Sequence, residues 1–349
     1  MKNPEIYSKA HIDKILRVRE HEIKIGEETG CCLIPTEWEN ELKKCSHKFV
    51  LLGIPEDIGV KANYGRGGAH TAWKPTLESF LNQQSNQFLN GKNIFVLGNV
   101  FVDDLMETAN QLTGKSKDDI HALRELVNKV DERVCLVIEK IIAMKKIPII
   151  VGGGHNNAFP IIKASARATS QKINVINCDP HSDFRPMEGR HSGNGFSYAY
   201  HKQYLNNYSL FCLHEQYNTG QVLKDFTTYN SNIFYTTYED VFIREHKTFA
   251  EALNQNIGFV KNSNCGIEID LDAITNVPSS AKTSSGISPV QARQYAYQCG
   301  NKLNALYLHI AEGAPILSHI KADNKTGKLI AYLISDFIKG VEEKFTKHL

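Results

Sequence analysis

The chain has 349 residues, is 42% hydrophobic, and sets 40 lysines and arginines against 38 aspartates and glutamates for a formal charge of +2. It is long enough to bury the core of one large domain or two ordinary ones, and so balanced a charge gives no reason to invoke nucleic acid or an anionic membrane, leaving a small molecule as the expected partner. The opening stretch MKNPEIYSKAHIDKILRVRE lacks the apolar core of a signal peptide, and nowhere do about 18 consecutive apolar residues suggest a membrane span, so a soluble, cytoplasmic protein is expected. The eight cysteines form no C-x-x-C pair. They read as reduced, mostly buried thiols, which disfavours both a disulfide scaffold and a thiolate zinc site.

The first 45 residues are charged and lack a strong strand pattern, and are expected to form a helical N-terminal extension (1–45) on a catalytic domain (46–349). Apolar strand-like runs follow at 48–54, 93–98, 147–153, 173–179, 209–214, 232–237, 265–272 and 305–312. Helical periodicity lies between or after several of them, at 119–146, 159–168, 248–261, 288–301 and 328–344. Continuous apolar strands alternating with helices predict an α/β fold with a central parallel sheet covered on both faces.

The polar motifs sit at the C-terminal ends of these runs, the edge where open parallel sheets bind ligands. IPIIVGGGHNN ends in His155, INVINCDPHSDF in Asp179, His181 and Asp183, CGIEIDLD in Asp270 and Asp272, and LYLHIAEGAP in Glu312. Within DPHSD and DLD, the period of two in an extended chain aims alternate side chains to one side. Taken singly, His155 could be a turn histidine, Asp179 and Asp183 helix caps, and GGGHNN a phosphate cradle, although it lacks the Lys-Ser/Thr of a P-loop. Together they place five carboxylates and two imidazoles at one edge, which is costly without neutralisation by a divalent metal. An oxygen-rich set without thiolate suits hard ions such as Mn²⁺ and leaves Ni²⁺ and Co²⁺ open. Six ligands are too many for one ion with an open position and suit two ions that acidify a shared water, as in a binuclear hydrolase.

These residues resemble the ureohydrolases, the family of arginase, agmatinase, guanidino-acid hydrolases and formimidoylglutamase: Gly-Gly-x-His, Asp-x-His-x-Asp, Asp-x-Asp and a late Glu, in this order, from about Phe49 onward. The resemblance implies the three-layer α/β/α arginase-like fold, a homo-oligomer (trimer or hexamer) and two Mn²⁺. It implies that His155, Asp179, Asp183 and Asp270 bind one ion and Asp179, His181, Asp270 and Asp272 the other, with Asp179 and Asp270 bridging. The catalytic residues would be Asp183, accepting a hydrogen bond from the nucleophile, and Glu312, facing the cationic end of the substrate.

Within the family, GVKANYGRGGA (59–69), HEQYNT (214–219) and HIAEGAP (309–315) resemble formimidoylglutamase. The resemblance therefore implies hydrolysis of N-formimidoyl-L-glutamate to L-glutamate and formamide, with a urea-releasing guanidino hydrolase as the alternative and a non-catalytic binding protein as a third reading. Ser192-Gly193-Asn194 resembles an arginase segment that holds the amino-acid end of the substrate, but Phe196 stands where arginase has a proton-shuttling histidine, a role His191 could take instead. Arg66, Arg185 and Arg190 are candidates for recognising a substrate carboxylate, because guanidinium pairs with carboxylates in bidentate fashion. His191, Ser192 and Asn194 complete the expected substrate-binding group.

Overall fold

The computed structural model describes residues 3–229, 231–318 and 324–346; the outermost residues of the two segments expected from sequence lie outside them. Ten strands form one sheet: β1 (Glu5–Ile6), β2 (Gly30–Cys31), β3 (Phe49–Gly53), β4 (Ile94–Asn99), β5 (Ile147–Val151), β6 (Ile173–Cys178), β7 (Leu205–Leu213), β8 (Ile233–Thr237), β9 (Asn264–Asp270) and β10 (Asn304–Ala311). Their order is β1-β4-β3-β5-β10-β9-β6-β7-β8, with β2 also paired to β4. Every pairing is parallel except β1 with β4. All eight apolar runs became strands. The N-terminal segment is helical only in part: three short helices, Lys9–Asp13, Ile25–Glu28 and Trp38–Lys44, alternate with β1 and β2, which extend the sheet through β4.

Strand alternation divides the core between the two faces of the sheet. Phe49, Leu51, Ile149, Val151 and Ile176 pack with the helices Trp73–Leu81, Phe249–Val260, Pro289–Lys302 and Lys325–Thr346. Val50, Leu52, Ile150 and Val175 face the other way, onto Lys117–Ala143, Ala158–Thr169 and Gly195–His201. The result is the expected three-layer α/β/α architecture, in which each fully buried aliphatic side chain contributes roughly 1.5–3 kcal/mol. Helix starts follow local chemistry: Ser116 Oγ accepts the Asp119 amide, Thr248 and Glu251 form a capping box, and Ser288 does the same with Gln291 while Pro289 takes the first helical position.

Four adjacent central strands, β5, β10, β9 and β6, are the ones whose C-terminal ends carry the polar motifs. The chain passes from β5 to β6 across the two strands between them, so the sheet order breaks there and opens a crevice at the strand ends. No described helix is long and apolar enough to cross a membrane.

Candidate metal centre and substrate cleft

After β5 the backbone turns through Gly152 (φ 89°) and Gly153 (φ 74°) into a 3₁₀ turn that begins at His155. Glu56, fully buried, anchors this loop by accepting from the Gly154 amide (3.0 Å) and from Asn157 Nδ2 (2.6 Å). Glu312 Oε1 accepts the His155 amide at 2.8 Å. His155 Nδ1 then lies 3.2 Å from Asp179 Oδ2, 3.1 Å from Asp183 Oδ2 and 3.1 Å from Asp270 Oδ2. Asp179 Oδ1 turns the other way, 3.5 Å from His181 Nδ1.

Ligand atoms of His155, Asp179, Asp183 and Asp270 lie within 4.8 Å of one another, as do those of His181, Asp270 and Asp272. Asp270 belongs to both groups, and Asp179 presents one oxygen toward each histidine. The structure thus brings all six expected ligands together, beside Glu312. The aspartates are held by further donors: Asn177 Nδ2 donates to Asp179 Oδ2, the oxygen that also faces His155, the Asp272 amide to Asp270 Oδ1, and the Ala281 amide to Asp272 Oδ1.

The electrostatics are unbalanced without a cation. Burial opposes charge on His155, yet Asp179, Asp183 and Asp270 carry its imidazolium well above the usual range. His181, likewise opposed by burial, is pushed up to about 10 by Asp179 and its neighbours. Burial, then the Asp179 and Asp272 charges, drives Asp270 far upward; burial, then Asp270 and Asp272, does the same to Glu312. Asp179 alone stays well below the carboxylate range, because the two imidazoles outweigh its desolvation. One N–H on His155 Nδ1 cannot satisfy three carboxylate oxygens at 3.1–3.2 Å. The donor set therefore fits divalent cations, which would reverse these shifts and leave both imidazoles neutral as ligands.

A cleft of about 320 Å³ opens over this cluster, with Asp183, Asp270, Asp272 and Glu312 at its buried end and Asn63, Arg185, Ser192, Tyr217 and Ser280 among its other lining residues. A cavity of about 580 Å³ bordered by the helices Pro289–Lys302 and Lys325–Thr346 is larger and more apolar, but it contains none of the donor set. The cleft is where chemistry can occur.

Of the expected substrate-binding residues, Arg185 and Ser192 line the cleft. Arg185 is 46% exposed, its guanidinium held by Asn63 Oδ1 (2.7 Å) and Glu188 Oε1 (2.8 Å). Arg66 is exposed outside the lining and donates to the Ser280 carbonyl at 3.3 Å. Arg190, His191 and Asn194 are not brought to the cleft. Arg190 is 1% exposed, paired to Asp131, donating to Asn194 Oδ1 and to the Asn156 carbonyl, and sandwiched by Phe159 and Tyr198. His191 is buried, accepts the Gly193 amide at Nδ1, and is pushed down to about 3 by burial and by Arg185, Arg124 and Arg190, so it carries no exchangeable charge near neutral pH. Phe196 is a packing residue, edge-on to His155 and stacked on Tyr208.

Sequence reasoning passed over Asn63, Tyr217 and Ser280. Asn63 and Tyr217 lie within the segments 59–69 and 214–219 already singled out, which is where a signal existed; Ser280 offered none. Glu268, fully buried with its Oε2 3.4 Å from His155 Nε2, was also missed, although EIDLD continues the alternation of Asp270 and Asp272 by one more step.

The arginase family model matches residues 47–339. The chain belongs to the arginase family. Among curated relatives it is 25% identical over 252 residues to the formimidoylglutamase of Streptococcus pyogenes serotype M3, covering 69% of this chain and 70% of that one. It is 27% identical over 251 residues to the formimidoylglutamase of Streptococcus gordonii, covering 69% of each. Among solved structures, Trypanosoma cruzi formiminoglutamase with Mn²⁺ superposes with a TM-score of 0.68 at 19% identity, over 91% of this chain and 98% of that one. Bacillus subtilis formimidoylglutamase gives 0.68 at 15% identity, over 98% and 94%. These structures share the arginase-family fold, and β5, β6, β9 and β10, whose ends carry the donor cluster, all lie inside the matched region.

Proposed function

We propose that this arginase-family chain is a manganese-dependent hydrolase of N-formimidoyl-L-glutamate that yields L-glutamate and formamide. One observation carries the reading: a single cleft is lined both by four buried acids and by Arg185, the only guanidinium among the described lining residues, which is half-exposed. That combination of charges matches a substrate with an amidinium at one end and carboxylates at the other. The relatives' names point to the same substrate class. Agmatine, which has no carboxylate, would leave Arg185 unmatched.

His155, Asp179, Asp183 and Asp270 would hold one ion and His181, Asp179, Asp270 and Asp272 the second. When bound, the pair supplies a water acidified toward neutral pH. Asp183, a member of the donor cluster, would act as the proton acceptor for the attacking water. The same carboxyl returns the proton to the glutamate nitrogen as the C–N bond breaks, so the formimidoyl group departs as formamide. Glu312 meets the amidinium and stabilises the charge that shifts in the transition state. Arg185 leaves Glu188 to pair with a substrate carboxylate and fixes the reacting carbon in place. The test compares N-formimidoyl-L-glutamate, L-arginine and agmatine at equal concentration with saturating Mn²⁺. The first is expected to be turned over best, and preferential turnover of arginine or agmatine overturns the substrate assignment.

A further inference from the structure

We propose that Glu268, supported by Tyr307 and His309, is a positioning residue that fixes the ring of His155 with Nδ1 toward the metal centre by accepting a hydrogen bond from Nε2–H. The inference rests on the metal-centre reading above and adds residues that the six expected ligands do not include.

Glu268, Tyr307 and His309 are all fully buried. Glu268 on β9 stands directly across from His309 on β10. Glu268 Oε2 lies 2.6 Å from His309 Nδ1, and Oε1 accepts the Tyr307 hydroxyl at 2.8 Å. Its backbone carbonyl accepts the Tyr295 hydroxyl at 3.1 Å. Gly266 makes room for this arrangement, since a Cβ there would come within 2.3 Å of the Tyr307 hydroxyl. An ionised carboxylate among apolar strand residues is expensive to bury, and nothing in the packing of Ile267 and Ile269 requires one. What it faces is the back of His155: Oε2 is 3.4 Å from Nε2, an atom that makes no aligned hydrogen bond of its own.

The two nitrogens of that ring have separate tasks. Nδ1 faces Asp179, Asp183 and Asp270, so a neutral ring that offers Nδ1 as a ligand must carry its proton on Nε2. A carboxylate behind a ligand histidine fixes the tautomer and ring angle. His309 Nε2 is also 3.4 Å from the carbonyl of Gly152, so the same unit touches the loop that carries His155. His155, Glu268 and His309 have ligand atoms within 4.8 Å and could be read as a third ion site. Both Glu268 oxygens are already engaged by Tyr307 and His309, and Nδ1 of His155 is committed to the main cluster, which favours the positioning role.

The test is a manganese titration followed by electron paramagnetic resonance on wild type, Glu268→Gln, Glu268→Asp and Tyr307→Phe, with circular dichroism to confirm folding. Wild type is expected to bind two equivalents. In Glu268→Gln one ion should weaken by about ten- to a hundredfold while the other is retained, and at saturating Mn²⁺ kcat should fall with KM little changed. Glu268→Asp, still anionic, should recover part of the affinity. If Glu268→Gln does not fold, Tyr307→Phe decides, since it keeps the buried ring and removes only the donor to Oε1; a several-fold weakening of one ion is expected. Wild-type affinity for both ions in the folded variants overturns the positioning role alone. A wild type that binds no manganese overturns the metal-centre reading and this inference with it.

Discussion

Arg190 and Arg185 lie five residues apart in one loop, one buried in a side-chain network and the other exposed at the cleft, so under the proposed function their substitution should separate stability from substrate binding. Replacing Arg190 by Met leaves Asp131, 6% exposed, without its counter-ion at 2.8 Å, and removes the guanidinium donors that Asn194 Oδ1 and the Asn156 carbonyl each accept at 2.7 Å. Removing one partner of a buried pair costs about 3–5 kcal/mol. With an unfolding entropy near 2.1 cal/mol/K per residue, that corresponds to a melting temperature lower by roughly 4–7 °C for a chain of this length. Burial pushes the Asp131 carboxyl up, against the pull of Arg190, so the stranded acid should take a proton and Arg190→Met should lose less stability in mildly acidic buffer. Adding Asp131→Asn should restore much of the loss. Arg185→Ala removes a half-exposed side chain: melting should change by less than about a degree, while losing a charge-assisted hydrogen bond to substrate raises KM about ten- to a hundredfold. Differential scanning calorimetry and steady-state kinetics on the same preparations decide the matter. An Arg190→Met protein of unchanged melting temperature and raised KM would refute the reasoning and return Arg190 to the substrate.

Asp270 belongs to both ligand groups and Asp272 to one, so Asp270→Asn should lose more bound manganese than Asp272→Asn; elemental analysis checks this, and two equivalents retained in Asp270→Asn would remove the bridging role. If Glu312 faces the amidinium as proposed, Glu312→Gln should chiefly lower kcat, and a change confined to KM contradicts that placement. The imidazoles of His155 and His181 have folded pKa values raised above the unfolded value of about 6.5. Their stabilisation of the metal-free protein is thus fully present below that pH and lost as pH rises toward about 10 for His181. Metal binding displaces those protons, so the increase in melting temperature on adding Mn²⁺ should grow between pH 6 and pH 9; an increase independent of pH counts against the ligand assignment.

How far the sequence revealed this depends on whether the signal was local. Phe49–Gly53 and Ile173–Cys178 are buried throughout, so their continuous apolar runs marked central strands directly. Glu5–Ile6 and Gly30–Cys31 are two-residue strands, too short to carry any period, and pair only because β4 lies beside them. Five of the six expected ligands were legible because DPHSD and DLD are motifs of a few consecutive residues, and His155 because it closes the glycine run after β5, although the backbone is not extended as the alternation assumed: Asp183 has φ 45° and Asp272 lies in a 3₁₀ turn. Arg190 was not legible: its counter-ion Asp131 lies 59 positions earlier, on the helix Lys117–Ala143, and an arginine in a glycine-containing loop has the sequence character of a surface residue. The partnership of Glu268 with His309 was hidden in the same way, because it depends on β9 and β10 being neighbours in register.

The strain in the site has the same origin as its chemistry. Asp183 and Glu312 both adopt left-handed backbone conformations, with φ of 45° and 65°, which costs a non-glycine residue on the order of 1–3 kcal/mol. Each is held there by the chain around it: the Phe196 amide donates to the Asp183 carbonyl at 3.3 Å and the Glu312 amide to the Gly153 carbonyl at 3.1 Å. These turns bend the chain sharply after β6 and β10 and swing both carboxylates back over the strand ends, where Asp179 and Asp270 already stand. An unstrained extension of either strand would carry its acid away from the cluster. The apolar strands beneath therefore do more than fill the core, because their burial stabilises an edge that is strained in its backbone and, without cations, repulsive in its charges.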